Sequence, residues 1–292
     1  MHENVDEYRI ENMKRTFYVI LVAVISMLIS TTGCTERKTE ASDSIVDSTA
    51  ADTLEADTLE TLIEETPMPK AADELFDDFI FNFAANRKLQ MSRIDFPLAV
   101  HEDGASASIP RDKWHMERFF MRQGYNTLIG CSMRDIDRSK DTSVSHVTIE
   151  KVMVETERVR QYIFNRIQGL WKLQELRTVP MSDNAFGDFY AFYHKFATDS
   201  TFRQHSLAET VEFSGPDPDD DFSRMEGSIM PEQWEMFAPE LPETIHYNII
   251  YGTNEVEGNR RLLVIRGIAN GFEVQLTFAK SGNTYTLVRL NT

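Results

Sequence analysis

Cysteine is scarce in this chain. The 292 residues include two cysteines, Cys34 and Cys131. Two cysteines allow at most one disulfide, and Cys34 lies in an amino-terminal segment for which another use is predicted below. We therefore expect no internal disulfide to stabilise the fold. Cys131 lies in an apolar, alternating run from Leu128 to Met133, which favours a small buried core residue over a reactive thiol.

Basic residues are too few to balance the acidic ones. The chain has 47 Asp and Glu residues against 30 Lys and Arg residues, a formal net charge of −17. A surface that binds nucleic acid needs Lys and Arg to neutralise phosphates. A surface that lies on anionic lipid needs the same positive excess. The charge balance therefore argues against both of these partners.

The chain also lacks the short motifs that mark common catalytic sites. No glycine-rich phosphate loop, Cys-x-x-Cys, His-Glu-x-x-His or Gly-x-Ser-x-Gly motif occurs. No two histidines have the spacing that would place them on one helix face for metal binding. The acidic run Asp217 to Asp221 lacks the ligand spacing of a calcium loop, so we interpret it as a solvated loop, with calcium as the alternative. We predict no catalytic residue, no metal site and no cofactor.

The amino terminus has an apolar run that is too short for a confident membrane span. Lys14 and Arg15 precede the run from Phe17 to Ile29, and a stretch of small residues leads to Cys34. This order is typical of a secretory signal over residues 1–33. Cys34, directly after Gly33, resembles the cysteine of bacterial lipoprotein signals, which is lipidated and becomes the first mature residue. The expected location is the cell envelope, at the periplasmic face or the cell surface, with a plain anchor or a cleaved signal as alternatives.

Residues 34–72 have a different composition. They hold ten acidic and three basic side chains, a formal net charge of −7, and no aromatic residue. Such a segment cannot bury enough apolar surface to offset the entropy of ordering it. We predict a flexible acidic tether between the lipidated Cys34 and the folded part.

The rest of the chain repeats itself. Residues 73–178 and 183–292 carry the same features in the same order. The two segments end in similar sequences, from Tyr162 to Thr178 and from Leu276 to Thr292. A repeat of this length is too long for a solenoid unit and predicts two copies of one small domain. We place these domains at residues 73–179 and 180–292.

Each copy has the pattern of a helix packed on a curved antiparallel sheet. An aromatic helix is predicted over 73–89 in the first copy and 184–198 in the second, because apolar residues recur at spacings of three and four. A short strand and a proline-initiated helix with a tryptophan follow. Period-two alternation then predicts strands at 125–135, 144–155, 158–167 and 170–178, and at 244–251, 260–268, 271–279 and 284–291. The predicted fold class is α+β, and each sheet is expected to have one face buried against the core and one face exposed to solvent.

Several short sequence motifs resemble those of a known family. These are the helix start Phe76-x-x-Phe79, the elements Ile109-Pro110 to Trp114 and Met230-Pro231 to Trp234, and the closing strands. In these features the chain resembles the nuclear-transport-factor-2-like (NTF2-like, cystatin-like) superfamily. It is similar to an uncharacterised family of Bacteroidetes envelope lipoproteins in which this domain is duplicated. The resemblance implies two tandem rolls over residues 73–292 and no established activity.

A few side chains are candidates for a pocket or an interface. Trp114 and Trp234 are expected to pack over a sheet edge, with ligand stacking as the alternative. Three arginines interrupt apolar strand faces, as rim residues or as contacts for an anionic ligand: Arg166, Arg266 and Arg289. His246 shares a predicted strand face with Asn248, as a core-edge residue or a pocket base.

The leading functional hypothesis is a membrane-anchored envelope lipoprotein that binds a small ligand or a protein partner through tandem rolls without catalysis. The alternative is a small-molecule hydrolase or isomerase with its active site in a roll cavity. A purely structural role is a third interpretation. A cavity holding a buried carboxylate near Arg or His would favour the enzyme, and an exposed apolar patch would favour a partner surface.

Overall fold

The computed structural model describes residues 73–217, 219–252, 258–268 and 271–292. The predicted signal segment, Cys34 and the acidic tether lie outside these ranges. Across the described residues, no helix combines the length and the hydropathy that crossing a bilayer requires.

The described residues form helices and a single twelve-stranded sheet. The helices are α1 (Phe76–Ala85), α2 (Arg87–Ser92), α3 (Met133–Asp137), α4 (Gly187–Thr198), α5 (Ser200–His205) and α6 (Trp234–Phe237). The strands are β1 (Ile94–Glu102), β2 (Ala105–Ile109), β3 (Tyr125–Gly130), β4 (His146–Met153), β5 (Arg158–Ile167), β6 (Leu170–Pro180), β7 (Leu207–Asp217), β8 (Asp220–Ile229), β9 (Tyr247–Tyr251), β10 (Arg260–Gly267), β11 (Glu273–Ser281) and β12 (Thr284–Asn291). We call residues 73–180 the first half and residues 181–292 the second half.

The helix predicted over 73–89 is two helices. Asn86 has an extended backbone between α1 and α2, and its side chain accepts a hydrogen bond from the Leu89 amide at 2.8 Å. Asp199 does the same between α4 and α5, accepting from the Phe202 amide at 2.9 Å. Asn and Asp are favoured at this N-cap position because their side chains satisfy an amide that the helix leaves unbonded. The prediction missed both caps.

The sheet order is β2-β1-β6-β5-β4-β9-β3-β10-β11-β12-β7-β8. Neighbouring strands were expected to pair antiparallel, and this is confirmed for β4 with β5, β5 with β6, β10 with β11 and β11 with β12. It is wrong for β3 with β4 and for β9 with β10. The chain from Cys131 to Ser145 contains α3 and a short 3-10 helix, so no tight turn forces β3 back onto β4.

Strands β3 and β9 are exchanged between the halves. β9 of the second half pairs antiparallel with β4 of the first, with Ile249 opposite Ile149. β3 of the first half pairs antiparallel with β10 of the second, with Ile129 opposite Leu263. β3 and β9 meet in the middle as a parallel pair. The described residues therefore contain one continuous sheet where separate sheets were expected.

The two hydrophobic cores lie on opposite faces of this sheet. In β3, Leu128 packs into the first core and Ile129 into the second. In β10, Val264 packs into the first core and Leu263 into the second. Since successive side chains of a strand point to opposite faces, α1 of the first core and α4 of the second cover opposite sides. The central strands are buried on both faces, which corrects the expectation of one dry and one wet face.

Each core is organised around one phenylalanine on a strand. Phe164 of β5 meets three α1 rings at centroid distances of 5.2 to 6.1 Å, those of Phe76, Phe79 and Phe83. Phe278 of β11 meets three α4 rings at 5.4 to 5.5 Å, those of Phe189, Phe192 and Phe196. These contacts are mostly edge-to-face, the geometry that aromatic quadrupoles favour.

We expect Phe164→Ala and Phe278→Ala each to lower the free energy of unfolding by about 3–5 kcal/mol, because each removes a ring that three others enclose. Urea unfolding monitored by circular dichroism measures this. Since the exchanged strands connect both cores, each variant should shift one common transition. Ile167→Ala, at a residue 41% exposed, is the control and should stay near the parent. Separate transitions for the two variants would contradict this coupling.

Candidate functional site

A large open groove lies on the sheet in the second half. It has a volume of about 1240 Å³ and runs over β7, β8, β11 and β12. The side chains that decide its chemistry are Glu212, Arg224, Glu226, Phe272, Glu273 and Arg289. Arg266 of β10 projects from the same face as Val264 of the first core, and its cross-strand partner Glu273 lines the groove. The groove therefore lies on the face opposite α4.

The charges that line the groove are mostly paired. Arg289 Nε donates to Glu212 Oε2 at 2.7 Å, and Arg266 Nε donates to Glu273 Oε2 at 2.7 Å. Arg224 donates to the backbone oxygens of Ser214 and Thr292. Apart from the half-buried Arg266, these charged side chains are exposed, so each ion pair contributes at most about 1 kcal/mol.

Glu226 differs from the other acidic residues of the groove. It lies on β8 with its side chain exposed, and it makes no ion pair with any described residue. A carboxylate that already faces a cavity and is not neutralised can accept a cationic group without first losing a partner. The groove thus has one acidic position free to bind.

The structure distributes the predicted site residues unevenly. Arg289 lines the groove, and Arg266 lies at its margin, where its Nη1 also donates to Ser139 Oγ at 3.2 Å. Arg166 lies elsewhere, at the β5–β6 turn, where it donates to the backbone oxygen of Thr142 at 2.9 Å. His246 is exposed just before β9.

The two tryptophans are packing residues. Trp114 is half-buried, and its Nε1 donates to Gln90 Oε1 at 2.8 Å. Trp234 is buried in the second core, with its ring 6.2 Å from that of Phe196. Neither lines the groove. Both side chains therefore contact other residues of this chain outside the groove.

Cys131 is only partly buried, in contrast to the expected core position. β3 ends at Gly130, so Cys131 begins the turn into α3 and does not share the strand's burial. Its Sγ lies 3.2 Å from Nη1 of Arg261. Burial still raises the pKa of the thiol, which keeps it protonated at neutral pH.

Sequence reasoning missed a buried carboxylate, Glu150 of β4. It is 1% exposed and accepts hydrogen bonds from Gln161 at 2.8 Å, Asn184 at 2.6 Å and Tyr190 at 2.5 Å. Burial raises its pKa, against the opposing effect of these donors. In the alternating pattern of β4, Glu150 lies on the same strand face as His146 and Thr148, so the sequence predicts that it faces solvent. The second half covers that position.

Two further carboxylates hold β9 in the first half. Tyr247 donates to Glu117 at 3.1 Å, and Tyr251 donates to Asp77, whose pKa is raised by burial. Between them, Asn248 donates to Tyr190, the residue bonded to Glu150. The exchanged strand is thus bonded directly to two partly buried acidic groups, Glu117 and Asp77, and through Tyr190 to a third, Glu150. None of the three lines the groove or the second described concavity, which has a volume of about 580 Å³ beside His146 and Gly252.

Within the described part of the chain, no three His, Cys, Asp or Glu side chains are placed to hold a metal ion. In the acidic loop after β7, Asp217 is used internally, since its carboxylate accepts from the Asp219 amide at 2.9 Å and from Ser223 Oγ at 3.1 Å.

The fold and its comparison with known proteins agree. The architecture is α+β, with helices on a large, mainly antiparallel sheet. It is similar to the crystal structure of an NTF2-like protein from Bacteroides fragilis, at 37% sequence identity and a TM-score of 0.70, covering 77% of this chain and 98% of that one. This confirms the expected NTF2-like fold. No curated protein matches the chain.

Residues 55–292 match the family described as "Domain of unknown function (DUF4348)". This match extends over most of the chain and includes all the described residues. The chain therefore belongs to the DUF4348 family.

We expect Glu150→Ala to lower the free energy of unfolding by about 3 kcal/mol, because Gln161, Asn184 and Tyr190 lose a buried acceptor. Glu150→Gln should cost less, since one oxygen remains. The raised pKa also predicts a pH dependence. A carboxyl whose folded pKa exceeds its unfolded value destabilises the fold as pH rises from its ordinary value of 4.5 through the raised value.

Urea unfolding at about pH 5 and about pH 8 tests this dependence. On going to the higher pH, the wild type should lose stability relative to Glu150→Gln. Glu226→Gln, at an exposed carboxylate, is the control and should follow the wild type at both values. If the free energies of unfolding of Glu150→Gln and the wild type changed in parallel with pH, burial of Glu150 would not destabilise its charged form.

Proposed function

We propose that this chain is an exported, lipid-anchored envelope protein that binds a protein partner in the groove of its second half, without catalysis. In this proposal, residues 73–179 and 180–292 are tandem NTF2-like rolls that arose by duplication and exchanged one strand each. Cys34 carries the lipid, and residues 34–72 form the acidic tether.

The groove is the observation that carries the proposal. Pockets for small molecules typically have volumes of about 300–1,000 Å³, enclose the ligand and are mostly apolar. This groove is larger, at about 1240 Å³, and it is open and lined by exposed charged residues. It also runs beside β8, the last strand of the sheet. These properties suit a segment of another protein better than an enclosed small molecule.

The alternative of a hydrolase or isomerase has weaker support. A reaction in a roll cavity needs an acid or a base that faces the substrate, and a buried carboxylate is one such group. Glu150, Glu117 and Asp77 all accept hydrogen bonds from tyrosines instead. Around α1 and α4 the cores are filled by aromatic rings. The buried acids therefore stabilise strand packing in this proposal.

The proposed location rests on the amino-terminal sequence. A basic pair, a short apolar run and a cysteine after Gly33 favour export and lipidation, and a lipid chain holds a protein at a bilayer surface without spanning it. An acidic tether then separates the folded part from the anionic bilayer by charge repulsion.

Partitioning into Triton X-114 tests the anchor. We expect the full-length protein, expressed in its native host, to enter the detergent phase, because an acyl chain adds about 0.8 kcal/mol of transfer free energy per buried methylene. Cys34→Ala should remain in the aqueous phase, while Cys131→Ala, the control, should behave as the wild type. Detergent partitioning of Cys34→Ala would rule out the lipid on this cysteine.

Photo-cross-linking in the native host tests the groove. We expect p-benzoylphenylalanine in place of Phe272, which lines the groove and is 42% exposed, to give a discrete protein adduct under light. The control is the same replacement of Leu170, which is also 42% exposed but lies at the β5–β6 turn. Immunoblotting for this protein detects the adduct. Equal adducts at both positions, or none at position 272, would argue against a partner in the groove.

A further inference from the structure

Strand β8 leaves one side of its backbone without a partner strand. It lies beyond β7 at the end of the sheet, and no strand among the described residues pairs with its other side. At alternate residues its N–H and C=O groups therefore point away from the sheet. β8 is ten residues long, whereas β2 at the opposite end of the sheet has five. The β8 edge thus offers the longer template for an added strand.

The hairpin that carries this edge is strongly acidic. Residues 207–229 include seven acidic side chains, namely Glu209, Glu212, Asp217, Asp219, Asp220, Asp221 and Glu226, against one basic residue, Arg224. The formal net charge is −6 over 23 residues. Like charge keeps two copies of this chain from pairing edge to edge, as it does on many natural edge strands. The same charge attracts a positively charged segment.

The two faces of β8 differ in character. Arg224, Glu226 and Ser228 line the groove, so a strand added to β8 would place alternate side chains above it. Met225 has the parity of Ile229, which is buried in the second core, so it lies on the opposite face, and it is exposed. A partner strand therefore meets Glu226, between Arg224 and Ser228, on one face and an adaptable apolar side chain on the other.

We propose that the free edge of β8 binds an extended cationic segment of a partner protein as an added strand, with basic side chains towards Glu226 and apolar ones beside Met225. This inference rests on the proposed function, since it names the partner's chemistry and the mode of binding in the same groove. Backbone hydrogen bonds supply affinity in such complexes, and the alternating side chains supply specificity.

Fluorescence anisotropy with the purified protein, residues 34–292 carrying Cys34→Ala, tests the proposal. The probe is a labelled peptide of about ten residues that alternates lysine and valine, so that one face is basic and the other apolar. A glutamate–valine peptide tests charge. The lysine–valine peptide methylated on alternate backbone nitrogens tests strand pairing, because it keeps the charge but cannot donate those hydrogen bonds.

We expect the lysine–valine peptide to bind at least about tenfold more tightly than either of the other peptides. Glu226→Lys should weaken its binding by about tenfold or more, since attraction becomes repulsion next to the added strand. Glu209→Lys makes the same change of net charge on an exposed β7 residue that does not line the groove. It should weaken binding less than about threefold at 0.15 M salt, where distant charges are screened.

Each other outcome overturns the inference. Equal affinity for the methylated peptide would show binding by charge alone, without an added strand. Equal weakening by Glu226→Lys and Glu209→Lys would show that net charge, and not the β8 edge, attracts the peptide. If the lysine–valine peptide did not bind, a cationic segment would be excluded as the partner of the β8 edge. In that case the cross-link at position 272 would still decide whether the groove binds another partner, so the two proposals fail separately.

Discussion

The exchange of β3 and β9 is the constraint on which the rest of this structure depends. Each of these strands completes the sheet of the half to which it does not belong in sequence. A half that lost its exchanged strand would expose the side chains of the neighbouring strand on both faces, because the central strands have no solvent-facing side. The hydrophobic effect therefore couples two regions of chain that carry separate cores, and neither core can be described without residues of the other half.

Burial on both faces also explains the acidic groups beside β9. Placing this strand at the middle of the sheet removes Tyr247, Asn248 and Tyr251 from water, and each brings a polar group that must be satisfied. Glu117, Asp77 and the Glu150–Tyr190 pair supply the partners. A charged acceptor is costly to bury, but hydrogen bonds to a carboxylate are stronger than bonds between neutral groups. The carboxylates thus position the exchanged strand, which gives these buried acids a structural role although they do not line either of the two concavities described above.

Local patterns predicted the local structure well. The recurrence of Phe76, Phe79 and Phe83 indicates the buried face of α1, and the alternation in residues 273–281 indicates β11, because both patterns depend on neighbours in sequence. The partner of a strand depends on chain that is distant in sequence. β3 and β9 have the same apolar alternation, and nothing in it favours β4 over β10 as a partner. The position of Glu150 follows from that pairing, so its burial was equally hidden.

The groove residues illustrate the same limit. We selected arginines that interrupt an apolar strand face. This criterion found Arg289 and Arg266, which lie at the groove, but it also found Arg166, which donates a hydrogen bond to the backbone oxygen of Thr142. This pattern identifies a polar side chain at the boundary of a hydrophobic core, but it does not show whether that boundary faces a groove or a turn. Glu226 escaped the sequence analysis because an exposed glutamate on a strand is ordinary. Its importance comes from the position of β8 at the end of the sheet, which only the topology reveals.

The two open faces of the sheet are not equivalent, and their hydrogen bonding explains why binding is assigned to the second half. Opposite α1, the polar side chains of the first half satisfy one another: Asp95 accepts from Lys172 and Gln174, each at 2.9 Å, and Asn165 donates to Gln174 at 2.8 Å. A ligand there would have to replace bonds that already exist, and the exchange would gain little free energy. The groove of the second half has Glu226 without an ion pair among the described residues, next to a strand edge that still has hydrogen bonds to make. Two halves with similar elements can therefore differ in their capacity to bind, because free energy of association comes from groups that the fold itself leaves unsatisfied.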